Sequence, residues 1–257
     1  MTFHSDWIVP HWPAPPRVRA LITTRAGGVS PAPYDSMNFG LRSGDREENV
    51  RANRALLRAM LPAEPAWLRQ VHGNVVVNAA TVNEQTVADG AVAHAPGRVC
   101  AVMAADCMPV LMCDRAGTAV AAAHAGWRGL AGGVLEAAVD ALGCAAGEVL
   151  AYLGPCIGPA RFEVGDDVYA AFVAHDPQAA AAFRPYPGRP GKWLCDLYAL
   201  ARQRLHARGV RAVFGGGFCT VNDLRFFSHR RDHGASGRMA GLIWLVQEAP
   251  GKRHEQT

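Results

Sequence analysis

Apolar positions along the chain change period several times, and each change predicts an element boundary. Residues 18–24 form a β-rich run that stops at Arg25-Ala-Gly-Gly28, where paired glycines predict a turn. Over 45–61 the spacing becomes helical: Val50, Leu56, Leu57 and Met60 share one face, and Asp45 stands where it can cap the start. Short runs at 67–71 and 74–77 predict two strands flanking His72-Gly73. Residues 99–104, 109–113 and 118–124 predict three strands, the last two joined by a hairpin-type turn at 114–117. Helices are expected over 130–142, 166–175 and 196–208, the last with Leu197, Leu200, Ala201 and Leu205 inward. Strands are expected at 149–153, 212–214 and 242–246. The mixture has no regular βαβ rhythm, so the expected class is α+β in layers. Gly215-Gly-Gly217 lacks dinucleotide-fingerprint spacing.

Composition narrows the reading. Half of the 257 residues are hydrophobic, enough for a substantial core. No apolar run reaches the roughly 18 residues of a membrane span, and residues 1–16 lack the pattern of a signal peptide. The expectation is a cytoplasmic protein without a membrane partner, one domain over 1–247 followed by a polar, disordered tail over 248–257. The net charge of +4, from 26 basic and 22 acidic residues, is too mild and too scattered to point to nucleic acid. Seven cysteines, an odd number without a C-x-x-C, argue against a disulfide framework.

Candidate chemistry concentrates in the middle of the chain. Cys107 stands in Ala105-Asp-Cys-Met-Pro109, between two expected strands, beside a carboxylate and near a proline. On this segment alone, an ordinary packed thiol is the better reading. His124-Ala-Gly-Trp-Arg-Gly129 shifts the balance. A strand end feeding a helix start offers free N–H groups, Gly126 and Gly129 allow close approach, and Arg128 supplies a planar cation. His72 carries little weight alone, and spacing does not show that the three meet. If they do, two imidazoles and a thiolate make a three-donor site with an open fourth position, as in catalytic zinc sites. Without a metal, Cys107 and His124 would form a thiolate–imidazolium pair.

The ordered set of motifs resembles the YfiH family, also called laccase-domain or multicopper-polyphenol-oxidase-like, with members described as purine nucleoside phosphorylases. The carriers are Thr24-Arg25-Ala-Gly-Gly28-Val29-Ser30, Asn38-Phe-Gly40 with Gly44-Asp45, Gln70-Val-His72-Gly73 and Ala88-Asp89. They continue through Ala105 to Pro109, His124 to Gly129, Gly154-Pro-Cys-Ile-Gly158, Phe162-Glu-Val-Gly165, Cys219-Thr220 and Phe227-Ser-His-Arg-Arg231. Phe39 departs from the leucine more common in the family.

The resemblance implies a layered α/β/β/α sandwich with mixed sheets, akin to the catalytic domain of cytotoxic necrotizing factor toxins. It implies that His72, Cys107 and His124 are metal ligands and catalytic residues, for Zn2+, with copper possible. It implies phosphorolysis of adenosine, inosine and 5'-methylthioadenosine, together with adenosine deamination. Purine nucleosides and phosphate are then the partners, with Arg25, Asn38 and Arg128 as substrate-binding candidates, in a monomer or small homo-oligomer. A Cys/His hydrolase editing peptidoglycan precursors is the alternative. A polyphenol oxidase (laccase) is disfavoured, because only ten histidines are present and no second cluster is visible.

Overall fold

The computed structural model describes residues 3–247, so the tail expected to be disordered lies outside the described residues. The first half contributes β1 (Val18–Ile22), α1 (Glu47–Arg58), β2 (Pro65–Ala66), β3 (Val76–Asn78), β4 (Gly90–Ala93), β5 (Val99–Ala104), β6 (Met108–Asp114) and β7 (Val120–Ala125). The second half contributes α2 (Trp127–Ala131), α3 (Val134–Ala141), β8 (Val149–Leu153), β9 (Glu163–Gly165), α4 (Asp166–Val173), β10 (Phe183–Pro185), β11 (Lys192–Cys195), α5 (Leu197–Ala207), β12 (Ala212–Gly215) and β13 (Met239–Leu245).

Two sheets form the centre. One is four-stranded, in the order β1-β13-β5-β2, and the other six-stranded, in the order β12-β8-β6-β7-β4-β3. Ile22, Val102 and Ile243 from the first meet Leu111, Ala122 and Tyr152 from the second in one apolar layer. The opposite face of the six-stranded sheet, with Val110, Met112 and Ala123, packs on Leu135 and Leu200 of the helices. The outer face of the four-stranded sheet packs Leu242 and Trp244 on Leu57 of α1 and on Phe39. The expected α/β/β/α layering is therefore observed. Because β6 is covered on both faces, every one of its seven residues is buried, which explains a nearly continuous apolar run without alternation.

Several boundaries differ from expectation. The helix expected over 130–142 is two helices, parted at Gly132 and Gly133, with Gly133 at φ 93°. The run at 67–71 is not a strand: the preceding Pro65–Ala66 pairs with β5, and Arg69 makes a single bridge to Val87. The last strand starts earlier, at Met239, and lies between β1 and β5. Helix α1 buries Asn53 and Arg54 while Leu56 is exposed. The reason is local: Asn53 holds Val29 N–H, Ser30, and the carbonyls of Ser36 and Asn38, so the helix rotates its polar pair inward. Asp45 does not cap α1 in the usual way. Its carboxylate accepts from Ser30, Asn38, Asn49 and Arg46 N–H. Among the described residues, no helix is long and apolar enough to cross a membrane.

Candidate active site

The register of the six-stranded sheet brings two of the expected donors together. Pro109 of β6 lies opposite His124 of β7, so Cys107, just before β6, is carried to the His124 end of that pair. On the other side of β7, Gly90 of β4 lies opposite Ala123, which sets Asp89 beside His124. His72 arrives on the loop that leads into β3. One atom each from His72, Cys107 and His124 then lie within 4.8 Å of one another. Cys107 Sγ is 3.6 Å from His72 Nε2, and the two imidazole centroids are 4.9 Å apart.

Asp89 holds this arrangement in place. Its carboxylate, fully buried, accepts the backbone N–H groups of Val71 (3.1 Å), His72 (2.9 Å) and Gly73 (2.7 Å). The same group lies 2.9 Å from His124 Nδ1, and the Asp89 carbonyl accepts His124 N–H at 2.7 Å. One carboxylate thus fixes both histidines and leaves Nε2 of His124 for the centre. It also secures His72 in a left-handed conformation, φ 62°, that a non-glycine residue adopts at a cost. Asp106 does the same for the cysteine loop. At φ 80° it accepts from the Thr220 hydroxyl and Arg230 N–H, and its carbonyl accepts Ile157 N–H. Gln70 clamps the strand beside it, exchanging bonds with Met103 N–H and carbonyl at 2.7 and 2.8 Å.

The electrostatics follow from this packing. Burial pushes the Cys107 thiol up, but the His124 charge and hydrogen bonds from both histidines outweigh it and hold the thiol at about 6. Burial pushes His124 down, and the facing Cys107 thiolate and the Asp89 carboxylate overcome that, raising it to about 9. Burial, with the neighbouring Asp114 charge, instead pushes the Cys113 thiol up to about 12. The donor set also passes a geometric test for a metal. Tetrahedral Zn–S and Zn–N bonds place sulfur and nitrogen about 3.5 Å apart, close to the distance observed. A carboxylate behind a ligating imidazole is the usual outer partner of such sites.

The two glycines in the His124 motif admit the protein's own loop. A Cβ on Gly126 would lie 2.8 Å from His72 Cδ2 and 2.9 Å from Cys107 Sγ, and one on Gly129 would lie 2.7 Å from the Gly73 carbonyl. Gly126→Ala is therefore expected to separate His72 from Cys107. Equilibrium dialysis against Zn2+ should show at least a ~10-fold weaker affinity, the range found when an outer partner of a metal site is lost. An unchanged affinity would mean that the donors do not act together.

The donors lie in a cleft of about 470 Å³ walled by Trp67, Trp127, Phe162, Met103 and four arginines: Arg42, Arg54, Arg230 and Arg238. Sequence reasoning named none of these arginines for substrate. It named Arg25, Asn38 and Arg128, which do not line the cleft. Arg25 is paired with Asp35 at 2.8 Å and lies over Phe227. Arg128 is exposed and lies over the Trp127 ring. Asn38 is fully buried, with its amide committed to Ser43, Asp45, Gly40 N–H and Arg238 N–H. Asp89 was visible only as part of a motif. A lone acid between apolar runs, one residue ahead of a strand, was the available signal.

Known proteins share this arrangement of chain. The family model described as "multi-copper polyphenol oxidoreductase laccase" matches residues 19–246. A protein of Pseudomonas aeruginosa named purine nucleoside phosphorylase is 54% identical, over 94% of this chain and 99% of its own. The purine nucleoside phosphorylase YfiH of Escherichia coli is 51% identical, over 94% and 100%. Among solved structures, a Neisseria meningitidis protein superposes with a TM-score of 0.90 at 53% identity, covering 95% of this chain and all of that one. YlmD from Geobacillus stearothermophilus superposes at 0.86 with 29% identity, over 96% and 98%. With the sandwich, the motifs and these matches in agreement, the chain belongs to the YfiH family of laccase-like proteins.

Proposed function

We propose that the chain is a zinc-dependent purine nucleoside phosphorylase, built as one catalytic domain over residues 1–247. The observation that carries the reading is the His72, Cys107 and His124 set at the wall of a cleft lined by aromatic and cationic side chains. The names of the relatives at 51–54% identity support it. In phosphorolysis a phosphate oxygen bonds to ribose C1' as the C1'–N9 bond breaks. The bond electrons leave with the purine, which takes up a proton. The products from adenosine, inosine and 5'-methylthioadenosine are the free base and ribose 1-phosphate or methylthioribose 1-phosphate. Trp127, only partly buried, suits the face of a purine, and the arginines suit the anionic co-substrate. His72, Cys107 and His124 would hold the ion, which when bound supplies a Lewis acid at the cleft wall; copper is the second candidate. Adenosine deamination, in which water replaces the C6 amino group as ammonia, uses the same cleft.

Protein purified without chelator is expected to carry about one zinc per chain. It should release hypoxanthine from inosine only when phosphate is present. A zinc-loaded sample that leaves adenosine, inosine and 5'-methylthioadenosine intact, with and without phosphate, sinks this reading.

One observation favours a second reading. Cys107, His124 and Asp89 stand in the order of a nucleophile, a base and an orienting carboxylate. That is the pattern of a Cys/His hydrolase, the class proposed for peptidoglycan precursor editing. Polyphenol oxidation ranks third. Multicopper oxidases need a separate histidine cluster, and among the described residues one group alone gathers three such donors.

A further inference from the structure

The cleft arginines are not alike. Arg54 is neutralised by Glu84 at 2.6 Å. Arg238 and Arg230 have no carboxylate partner among the described residues. Arg238 is partly buried, and its Nη1 is anchored on the carbonyls of Ser236 (2.6 Å) and Gly237 (2.9 Å). Its stem lies against Gly40, where a Cβ would come within 2.7 Å of Cγ. Its backbone is tied at both ends, N–H to Asn38 Oδ1 and carbonyl from Phe39 N–H. The side chain is thus held in one pose, yet Nε and Nη2 find no protein acceptor among the described residues and are not sealed away from the cleft.

Arg230 is held on the neighbouring wall. Its N–H bonds the Asp106 carboxylate, and both Nη atoms rest on the Glu163 carbonyl at 3.2 Å, leaving Nε. His229 lines the cleft beside it. Arg230 is solvent-exposed and Arg238 partly buried, so neither demands a counter-charge, but two guanidinium groups held by carbonyl anchors at one cleft, with N–H groups to spare, make a fixed cationic site that favours an anion. Planar forks of this kind match the paired oxygens of phosphate.

We propose that Arg238 and Arg230, with His229 beside them, form the phosphate-binding subsite of the cleft, next to Cys107. The assignment rests on the phosphorolytic reading for its choice of anion. It explains why Asp106 is used to hold Arg230 N–H as well as the cysteine loop: one carboxylate sets the distance between the phosphate and the metal donors. It also explains the buried network of Asn38, which positions Arg238 from behind.

The test is binding of inorganic phosphate to the zinc-loaded protein, by calorimetry, alongside the phosphate KM for inosine cleavage. Arg238→Ala should weaken phosphate binding and raise the phosphate KM at least tenfold, with the KM for inosine changed less than twofold. Arg238→Lys, which keeps the charge but loses the fork, and Arg230→Ala should each weaken phosphate severalfold. Arg208→Ala, at an exposed pair with Asp140 on α5, should match the parent. If Arg238→Ala fails to fold, Arg238→Lys and Arg230→Ala decide. Wild-type phosphate binding in both overturns the subsite. Cleavage that proceeds with an unchanged phosphate KM in both variants leaves the phosphorylase standing and removes the subsite. Phosphate binding with the expected losses, but no cleavage of any nucleoside by the parent, keeps the anion site and removes the phosphorylase.

Discussion

Asp89→Ala should strip the protein of its metal site and much of its stability together. The substitution removes the charged acceptor of three part-buried hydrogen bonds, those from the N–H groups of Val71, His72 and Gly73. A hydrogen bond to a charged acceptor contributes about 1.5–3 kcal/mol, so a loss of ~3 kcal/mol or more in urea unfolding is expected. Zinc affinity should fall about 10- to 100-fold, because His124 loses the partner that orients it. Asp89→Asn separates the two effects. It retains one acceptor oxygen and much of the packing, but cannot carry the charge that stabilises His124. The acid limb of the stability curve gives an independent check. Burial pushes the Asp89 carboxyl up, but the His124 contact and the backbone donors together bring it below its ordinary 3.8. The folded carboxyl therefore ionises more readily than the unfolded one. Its contribution is complete above about pH 4 and disappears as the pH falls through the lowered value. Asp89→Asn should flatten that part of the curve. An unaltered acid limb, with unaltered zinc affinity, would contradict the role given to Asp89.

The second large effect separates the two readings of the site. Cys107→Ser replaces a thiolate held at about 6 with a hydroxyl that does not ionise, so activity should vanish under either reading. His72→Ala is the discriminating change. If the three side chains act as one ligand set, removal of His72 should cost more than the ~100-fold typical of losing an outer partner, and zinc content should drop in parallel. If Cys107 acts as a nucleophile with His124, the variant lacking His72 should keep most of its turnover. The measurement is kcat with metal content taken on the same sample. Retained turnover in zinc-free His72→Ala protein would move the assignment to the hydrolase.

What the sequence revealed depended on whether a signal was local. The buried strands β6 and β8 read directly, because both faces are covered and the apolar run is unbroken. Strand β4 was missed, since Gly-Ala-Val-Ala has little β preference and owes its form to β7 and β3 on either side. The inward face of α1 was misread for a different reason. Leu56 fits the helical period, but Asn53 and Arg54 win the buried positions through hydrogen bonds to a distant loop. Local context singled out Cys107 and His124, the family resemblance joined His72 to them, and the sheet register with the Asp89 carboxylate supplies the cause of their meeting. The arginines of the cleft were illegible, because Arg230 and Arg238 gain meaning only from their carbonyl anchors and missing carboxylates. Glycines were legible as turns but not in purpose: Gly126 makes room for His72 and Cys107.

The placement of β13 has a consequence for how the molecule is made. Every strand of the six-stranded sheet, from β3 to β12, precedes residue 216, so the donor set can assemble while synthesis is still under way. The four-stranded sheet cannot close then, because its central member runs from Met239 to Leu245 and pairs with β1 over 200 residues earlier. Its pairings are among the most non-local in the chain and form late. Arg238 sits at the entrance to that strand. A nascent chain therefore has its metal donors before Arg230 and Arg238 take their places in the cleft.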